Sequence, residues 1–267
     1  KIVVETHGDF IDTIGLEKNL LLPKFYTSLF SYLAKYSIKK ADLIRSISEF
    51  TEKQVLNFGY QGLFVRFPAW INIDNYLNAD IKRSYSDTFK IIFVGSVTER
   101  KNPKIIIESL ETIDGNVSLE IIGQTPNLKY LKELNNLISS SKHAENITMT
   151  PFIKAEELIS KYSSANLFIL PSKSEGLGRV IIEAQSTACP VLVSSNTGMV
   201  DLIIENETGY IFENNNKNDL SNKIQHIMNN YESALQTGLN SKDFVKENQS
   251  VANFEFGYKK LIDLVST

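Results

Sequence analysis

Two glutamates near the middle of the chain, Glu175 and Glu183, flank a glycine-containing turn and are the first candidates for chemistry. Glu175 follows Pro171 and the apolar run 166–170, which is short and sharply bounded and therefore predicts a buried strand. Glu183 lies in a helical pattern over residues 177–187. The segment is thus predicted to be a strand-to-helix turn, where backbone N–H groups at the positive end of a helix bind anions such as phosphate.

Glycines in this turn strengthen the prediction of a ligand. Gly176 and Gly178 allow backbone N–H groups to approach a bound group closely, so a phosphorylated ligand is expected. Glu183 has apolar neighbours and needs polar partners to offset its desolvation, and ligand hydroxyls are one source of them. The spacing alone leaves another interpretation open, in which Glu175 is a solvated turn residue, Glu183 pairs with a nearby Arg or Lys, and the glycines form only a tight corner.

Charged groups at two other predicted strand ends are further candidates. His7 follows the strand-like segment 1–6, and Arg100 and Lys101 follow the predicted strand 89–95. Open α/β sheets bind ligands at the carboxyl ends of their strands, so all three side chains are well placed for a site. Taken in isolation, the simpler interpretation is favoured for each of them: a loop histidine satisfied by the backbone, and two solvated cations.

The segment 171–184, which reads PSKSEGLGRVIIEA, resembles the donor-site motif of the retaining glycosyltransferases of family 4, the glycosyl transferases group 1, which have the GT-B fold. The resemblance implies that Glu175 contacts the donor sugar. It also implies that Gly176, Leu177 and Gly178 hold the sugar and the diphosphate through their amides, and that Glu183 binds the ribose.

Two other segments share the resemblance. His7 resembles a histidine that reaches the donor sugar and diphosphate across the interdomain cleft. The loop that begins at Gly95 resembles the family's first donor-domain loop, in which a Gly-Arg pair and a later Lys grip the diphosphate. Lys101 matches that Lys, but Ser96 stands where the family commonly has Arg, and Arg100 is the expected substitute.

Composition argues against several classes of protein. A net charge of -3 argues against a broad attraction to nucleic acid. The single cysteine, Cys189, excludes a disulfide within the chain and is predicted to be a small buried side chain. His7, His143 and His226 are far apart in the sequence and no Asp-x-Asp clamp occurs, so neither a metal nor another cofactor is expected.

The predicted location follows from hydropathy. No apolar run approaches the ~20 residues of a membrane-spanning helix and no signal peptide is recognisable, which predicts a cytoplasmic protein. Residues 16–36 carry many Leu, Phe and Tyr side chains with interspersed lysines, interrupted at Pro23. This pattern favours a helix packed on a sheet. The alternative is an amphipathic surface that faces a membrane or a lipid acceptor, which would place the protein peripherally at the inner face of the membrane.

Strand and helix patterns alternate along the chain, which predicts an α/β fold of parallel sheets covered by helices on both faces. The resemblance implies two Rossmann-like domains that face a cleft, with the first incomplete because the chain begins directly in a strand without an initiator Met. The expected organisation is a partial acceptor-side domain over 1–70, a linker over 71–88, a donor-binding domain over 89–250, and a terminal helix over 251–267 that packs back toward the first domain.

Parallel strands bring their carboxyl ends to one edge. Gly95, Gly123, residues 151–153, Glu175 and residues 196–199 are therefore expected to line one crevice, as a nucleotide site requires.

Helix starts are predicted from capping residues. Asn102 and Pro103 are expected to open a helix as its cap and its first residue. Further helices are expected from Asp219 and over residues 253–265.

The leading hypothesis is a metal-independent, retaining glycosyltransferase that uses a nucleotide sugar and a carbohydrate or lipid-linked acceptor, with His7, Lys101 and Glu175 as catalytic residues. A second hypothesis is an NAD-binding oxidoreductase, because the glycines of the turn imitate a dinucleotide fingerprint. It fits poorly, because Ile181 replaces the third glycine and the next strand ends at Ser194 without an acidic residue. A third is a catalytically inactive sugar-nucleotide-binding relative.

Overall fold

The described part of the chain, residues 1–7, 23–198 and 200–266 of a computed structural model, forms two β-sheets with helices packed around them. The N-terminal sheet consists of β1 (Val3–Thr6), β2 (Leu43–Ser46) and β3 (Leu63–Arg66). The C-terminal sheet consists of β4 (Phe89–Val94), β5 (Val117–Ile122), β6 (Ile147–Thr150), β7 (Leu167–Leu170), β8 (Val191–Ser194) and β9 (Tyr210–Phe212).

Helices connect and cover the strands. They are α1 (Pro23–Lys40), α2 (Glu49–Asn57), α3 (Asp74–Leu77), α4 (Lys104–Leu110), α5 (Leu128–Ser140), α6 (Ala155–Ser164), α7 (Arg179–Ser186), α8 (Lys217–Asn229), α9 (Tyr231–Asn248) and α10 (Val251–Ser266). The helix α9 was not predicted from the sequence, and it packs against α7.

Both sheets are parallel throughout the described residues. The spatial orders are β1-β2-β3 and β6-β5-β4-β7-β8-β9. In the C-terminal sheet, β5 and β6 follow one another on one side of β4. The chain then returns to β7 on the other side of β4 and continues through β8 to β9. The predicted α/β fold with parallel sheets is confirmed, and the reversal lies between β4 and β7.

The core of the C-terminal sheet explains its apolar strands. All residues of β7 and β8 are buried, because a parallel sheet with helices on both faces leaves neither side for water. Cys189 is buried and reduced in the same core, as predicted. One continuous apolar cluster runs through β4 to β9 and their helices.

An arginine fixes the link between the two sheets. Arg83 donates hydrogen bonds to Tyr162 O at 2.9 Å and to Ala188 O at 2.9 Å, and it also bonds to Ala165 O and Thr187 O. These carbonyls lie at the carboxyl-terminal ends of α6 and α7, where helix dipoles favour a cation. The segment after α3 is therefore held to the C-terminal sheet by a charged group and not by apolar packing alone.

Helix α1 packs on the N-terminal sheet through a narrow face. Ile38 is buried there, whereas Phe25, Leu29, Tyr32 and other large apolar side chains of α1 are exposed. The prediction for residues 16–36 falls partly on residues 16–22, which lie outside the described part. No helix in the described part is long and apolar enough to cross a membrane.

The last helix returns to the N-terminal sheet. Leu261 of α10 packs with Leu43 of β2 and Val65 of β3, and Phe67 stacks edge-on against Tyr258 with ring centroids 5.0 Å apart. The carboxyl-terminal helix thus completes the core of the sheet formed by the first strands.

The predicted start of α4 is wrong. The helix begins at Lys104, Pro103 occupies the capping position, and Asn102 has a left-handed φ of 53°. Asparagine tolerates this conformation better than most residues. The Asn102 N–H donates to Thr98 O at 2.9 Å, and its side-chain amide donates to Asn215 Oδ1 at 3.4 Å. Asn102 therefore closes a loop and does not cap the helix.

Candidate functional site

The candidate site lies where the C-terminal sheet reverses direction. The loops that follow β4 and β7 diverge from neighbouring strands at this point, and such a switch point forms a crevice at the carboxyl edge of an open α/β sheet. The loop after β4 carries Arg100 and Lys101, and the loop after β7 carries Glu175. Sheet topology therefore brings together charged residues that are 74 positions apart in the sequence.

Close backbone contact shapes the floor of this crevice. The N–H of Gly95 donates to Ile122 O at 2.9 Å, and Gly123 has a φ of 149°. A Cβ on Gly123 would collide with the carbonyl oxygen of Gly95, so only glycine fits this position. The predicted approach of Gly95 to Gly123 is therefore present. Ser96, the next residue, is exposed at the mouth of the loop.

Two cations converge on one carboxylate. Lys101 Nζ forms an ion pair with Glu175 Oε2, and Arg100 Nη1 lies 3.6 Å from the same oxygen. The side chains are largely withdrawn from water, with exposed fractions of 12% for Lys101 and 10% for Glu175. Ser172 Oγ donates to Glu175 Oε2 at 3.4 Å. The cluster holds one positive charge more than it holds negative charge, in a setting with little solvent screening.

Backbone bonds hold the two loops in register. Arg100 Nη1 donates to Ser174 O at 2.8 Å, and the N–H of Lys173 donates to Arg100 O at 2.8 Å. Glu175 pairs through its backbone with Thr197 of the loop after β8. A Cβ on Gly198 would collide with the backbone carbonyl of Glu175, so this loop presses directly on the glutamate.

The residues after Glu175 lead into α7. Gly176 and Gly178 are buried and Leu177 is partly buried, and Gly178 is the residue that precedes the first turn of the helix. No side chain caps this helix end within the described residues. The N-terminal end of α7 thus follows Glu175 closely in the chain, and its dipole favours an anion there. The N–H groups of Arg179 and Ile181 donate to Leu177 O at 3.0 Å and to Gly178 O at 2.8 Å.

Glu183 lies one turn into α7 and is almost wholly buried. Its carboxylate accepts hydrogen bonds from Arg179 Nε at 3.1 Å and from Tyr162 Oη at 3.4 Å. Burial raises the pKa of Glu183 above its ordinary value, although Arg179 and Tyr162 act against the rise. Burial also raises the pKa of neighbouring Tyr76, in α3, to about 12. Glu183 thus has the Arg partner that the second interpretation of the sequence required.

His7 lies just beyond β1, at the carboxyl end of its strand. Its ring is exposed, and Nε2 lies 2.9 Å from Glu5 Oε2. The structure therefore brings Lys101, Arg100 and Glu175 into one cluster, while the described contact of His7 is with a residue of the other sheet.

Some residues near the site were missed by the sequence analysis. Tyr76 and Tyr162 surround Glu183, and Thr197 has a buried hydroxyl without a partner among the described residues. Met199, which was expected on the same edge, lies outside the described residues. Tyrosines at helical spacing resemble ordinary core residues, so only the three-dimensional arrangement connects them with the glutamate.

Within residues 1–7, 23–198 and 200–266, no group of three or more His, Cys, Asp or Glu side chains is arranged to hold a metal ion. The charges at the switch point are supplied by Arg100 and Lys101.

Comparison with known families gives a direct match. The family model described as Glycosyl transferases group 1 matches residues 77–244. This range runs from the end of α3 into α9 and includes Arg100, Lys101, Glu175 and Glu183.

Curated relatives agree with the family match. An uncharacterized glycosyltransferase of Methanocaldococcus jannaschii is 29% identical over 81% of this chain and 58% of its own length. The capsular polysaccharide biosynthesis glycosyltransferase CapM of Staphylococcus aureus is 28% identical over 72% of this chain and 50% of its own length. The chain therefore spans little more than half the length of these relatives.

Solved structures match over nearly the whole chain. Sucrose-phosphate synthase from Thermosynechococcus elongatus has a TM-score of 0.80 over 99% of this chain and 68% of that protein, at 20% identity. Anabaena Alr3699/HepE, solved in complex with UDP-glucose, has a TM-score of 0.81 over 98% of this chain and 72% of that protein, at 16% identity. At such identities the likeness concerns the fold, and the predicted GT-B fold is confirmed.

Proposed function

Because the chain belongs to the Glycosyl transferases group 1 family, we propose that it transfers a sugar from a nucleotide-diphosphate sugar to an acceptor hydroxyl with retention of the anomeric configuration. The observation that carries the proposal is the buried cluster of Arg100, Lys101 and Glu175 at the switch point of the C-terminal sheet. Two adjacent cations beside a helix N-terminus form a site for a diphosphate.

Leaving-group stabilisation is the main catalytic task in this proposal. Arg100, Lys101 and the positive end of the α7 dipole stabilise the negative charge that develops on the diphosphate as its bond to the sugar breaks. These groups are already held in place by the two loops, so little reorganisation is needed when the charge appears. Since lysine and arginine supply the positive charge, the proposed reaction is metal-independent.

Glu175 has a second task that depends on the first. Its carboxylate forms an ion pair with Lys101. When Lys101 pairs with a diphosphate instead, the Glu175 carboxylate can accept a hydrogen bond from a hydroxyl of the donor sugar. His7 is proposed to contact the sugar from the other side of the cleft, and Glu183 to accept hydrogen bonds from the ribose after exposed Arg179 moves away.

Retention follows if the acceptor attacks from the face that the diphosphate leaves. The new bond from the acceptor oxygen to the anomeric carbon forms as the bond to the diphosphate oxygen breaks, and the acceptor proton passes to a phosphate oxygen. This route needs no pair of acid and base carboxylates of the kind that glycosidases use.

The alternative functions differ in what they would bind. The family match favours the transferase over an NAD-dependent oxidoreductase. An inactive relative would keep nucleotide binding without transfer. The cluster argues for a working donor site, because its charged side chains are buried at the crevice and not dispersed in solvent.

Calorimetric titration of the whole chain with UDP, GDP, ADP and NAD, in the presence of a chelator, tests the donor site. We expect one nucleoside diphosphate to bind, with affinity lowered about tenfold or more by Lys101→Ala and by Glu183→Ala, since each removes a charged hydrogen-bonding group. Lys90→Ala, an exposed lysine of β4, is the matched control and should bind normally. Binding of NAD alone would overturn the transferase proposal. Transfer assays on the full-length protein separate an active enzyme from an inactive relative.

The acceptor is proposed to be lipid-linked, with the protein cytoplasmic and peripheral at the membrane. Helix α1 exposes large apolar residues and carries four lysines without an acidic residue. Such a surface binds anionic lipid through burial of apolar area and attraction to the headgroups. Sedimentation with vesicles that contain phosphatidylglycerol should recover the chain, and Lys39→Glu/Lys40→Glu should reduce recovery severalfold. Equal recovery with neutral vesicles would contradict the proposal.

A further inference from the structure

We propose that Glu5 is a positioning residue for His7. Its carboxylate accepts a hydrogen bond from the imidazole and so fixes the tautomer and the direction of the ring, and Glu5 is itself held by buried Arg45 and by Tyr258 of α10. The inference rests on the proposed contact of His7 with the donor sugar, and it adds a residue that neither the motif nor the family match includes.

Glu5 and His7 lie close together at the carboxyl end of β1. Glu5 belongs to the strand, and His7 is the first residue after it. His7 Nε2 and Glu5 Oε2 are 2.9 Å apart. The other carboxylate oxygen, Oε1, is occupied by Tyr258 Oη at 2.9 Å. Glu5 is therefore held at both oxygens.

The protonation state of Glu5 decides the direction of the bond. Although partial burial raises it, the hydrogen bonds from His7 and Tyr258 and the charge of Arg45 hold the pKa of Glu5 below its ordinary value. An ionised carboxylate can only accept, so Nε2 must be the donor. In the neutral ring the proton then resides on Nε2, and Nδ1 is left with a lone pair that can accept a hydrogen bond from a sugar hydroxyl.

Arg45 anchors the carboxylate. It lies directly opposite Glu5 in the register of β1 and β2, and Arg45 Nη1 donates to Glu5 Oε2 at 2.8 Å. The Arg45 side chain is only 2% exposed, and its guanidinium lies 4.1 Å from the centre of the Phe67 ring. A second nitrogen, Nη2, donates to Pro68 O at 3.2 Å. Because the guanidinium is enclosed on several sides, it can pair with the Glu5 carboxylate in only one position.

Tyr258 extends the network to the end of the chain. It belongs to α10, and its ring stacks on Phe67 beside the same guanidinium. The orientation of His7 therefore depends on the docking of a helix that lies more than 240 residues away in the sequence. A purely structural ion pair between Glu5 and Arg45 would not require the bond to His7.

Nitrogen NMR of the imidazole rings tests the proposal without an activity assay. In alkaline buffer, where imidazole is neutral, the His7 pattern of the whole chain should be that of a ring protonated on Nε2. The His7→Gln variant identifies its signals among those of His143 and His226. In Glu5→Gln the pattern should shift toward an average of the two tautomers, because a neutral amide is a weaker acceptor.

Further variants cover the case in which Glu5→Gln disturbs the fold around Arg45. Glu5→Leu/Arg45→Met removes both charges together, which avoids a buried unpaired ion. This double variant should also average the His7 tautomers. Tyr258→Phe keeps the ion pair and should shift the His7 signals by a smaller amount. Tyr32→Phe, on exposed α1, is the matched control and should leave them unchanged.

Calorimetry separates failure of this inference from failure of the proposed function. The gain in affinity of the nucleotide sugar over the same nucleoside diphosphate should fall about three- to tenfold in His7→Ala and in Glu5→Gln, with the diphosphate alone unaffected. A His7 tautomer that is unchanged in both Glu5 variants, in folded protein, would overturn the inference even if nucleotides bind. Absence of all nucleotide binding would instead overturn the proposed function, and the NMR result would still stand.

Discussion

The two sheets of this protein are stabilised in different ways. The C-terminal sheet has one continuous apolar core, and the charged side chains Lys101 and Glu175 lie at its carboxyl edge. Among the described residues, the N-terminal sheet has two small apolar clusters of four buried residues each, and the side chain of Arg45 is buried beside one of them.

The difference shows what each sheet requires from the rest of the chain. The C-terminal sheet is covered on both faces by its own connecting helices, and its core also takes in Ile71 and Ile73 from the preceding segment, so its stability is local to residues 71–248. The N-terminal sheet takes Leu261 into its core and Tyr258 into its polar network, and both come from α10. We therefore expect the N-terminal sheet to be the more easily unfolded of the two, and the following variants test that expectation.

Arg45→Met should have the largest effect. It removes the cation that donates to the Glu5 carboxylate and to Pro68 O, and each such charged hydrogen bond typically contributes about 1.5–3 kcal/mol. Hydrogen exchange should lose protection throughout β1, β2 and β3, while β4, β7 and β8 keep theirs. Arg66→Met, which changes a half-exposed arginine of β3, is the control. Equal loss of protection in both sheets would show that they unfold as one unit.

Leu261→Ala should destabilise the same sheet by a smaller amount. The side chain is 7% exposed, and truncation of a buried leucine costs about 2–5 kcal/mol. Ile262→Ala is a matched control on the next residue, because that side chain is 57% exposed. Denaturant melts followed by hydrogen exchange should show an early transition for Leu261→Ala that is confined to the N-terminal sheet. A single late transition in both variants would show that the stability of the N-terminal sheet does not depend on α10.

Arg83→Met should affect the C-terminal sheet instead. It removes hydrogen bonds to carbonyls at the ends of α6 and α7, and charged hydrogen bonds contribute about 1.5–3 kcal/mol in the most favourable cases. Thermal unfolding of the C-terminal sheet should shift to lower temperature. Lys82→Met, on an exposed neighbour, should leave it unchanged. If Arg83→Met lowers only the stability of the N-terminal sheet, then Arg83 does not stabilise the C-terminal sheet as stated.

Glu183→Gln should have the smallest effect on stability, with the opposite sign. Because the pKa of Glu183 is raised in the folded state, folding favours its protonated form, and stability falls as pH rises from the ordinary value of 4.5 through the folded pKa. The variant should lack this fall and be slightly more stable at neutral pH, while its nucleotide affinity decreases. Thermal melts from pH 4 to pH 8 measure the slope of stability against pH. If the slope is the same in Glu183→Gln, Glu183 is not its source.

Local signals predicted most strands of the C-terminal sheet. The strand β7 lies within the predicted apolar run 166–170, because a short run with sharp ends leaves little choice of bounds. The strand β4 ends at Val94, one residue earlier than predicted, where Gly95 begins the loop. The helix start at Asn102 was wrong because its side chain bonds to Asn215, a contact between distant loops that a local capping rule does not include.

The candidate site was predictable only in part. The residue types at Arg100, Lys101 and Glu175 follow from motif spacing, whereas the ion pair between Lys101 and Glu175 depends on the order of β4 and β7. The bond from Glu5 to Arg45 depends on a register between strands that are 40 residues apart. A single charged residue within a short strand gives no sequence signal of its buried partner.

The packing of α10 on the N-terminal sheet has a mechanical consequence. The chain crosses between the sheets after β3, at Pro68 and Ala69, and again between α9 and α10, at Gln249 and Ser250, and the two crossings line the same small cavity. Because both links between the sheets pass through this one place, the spatial relation of the two sheets depends on a few neighbouring residues, and a substitution there acts on both links at once.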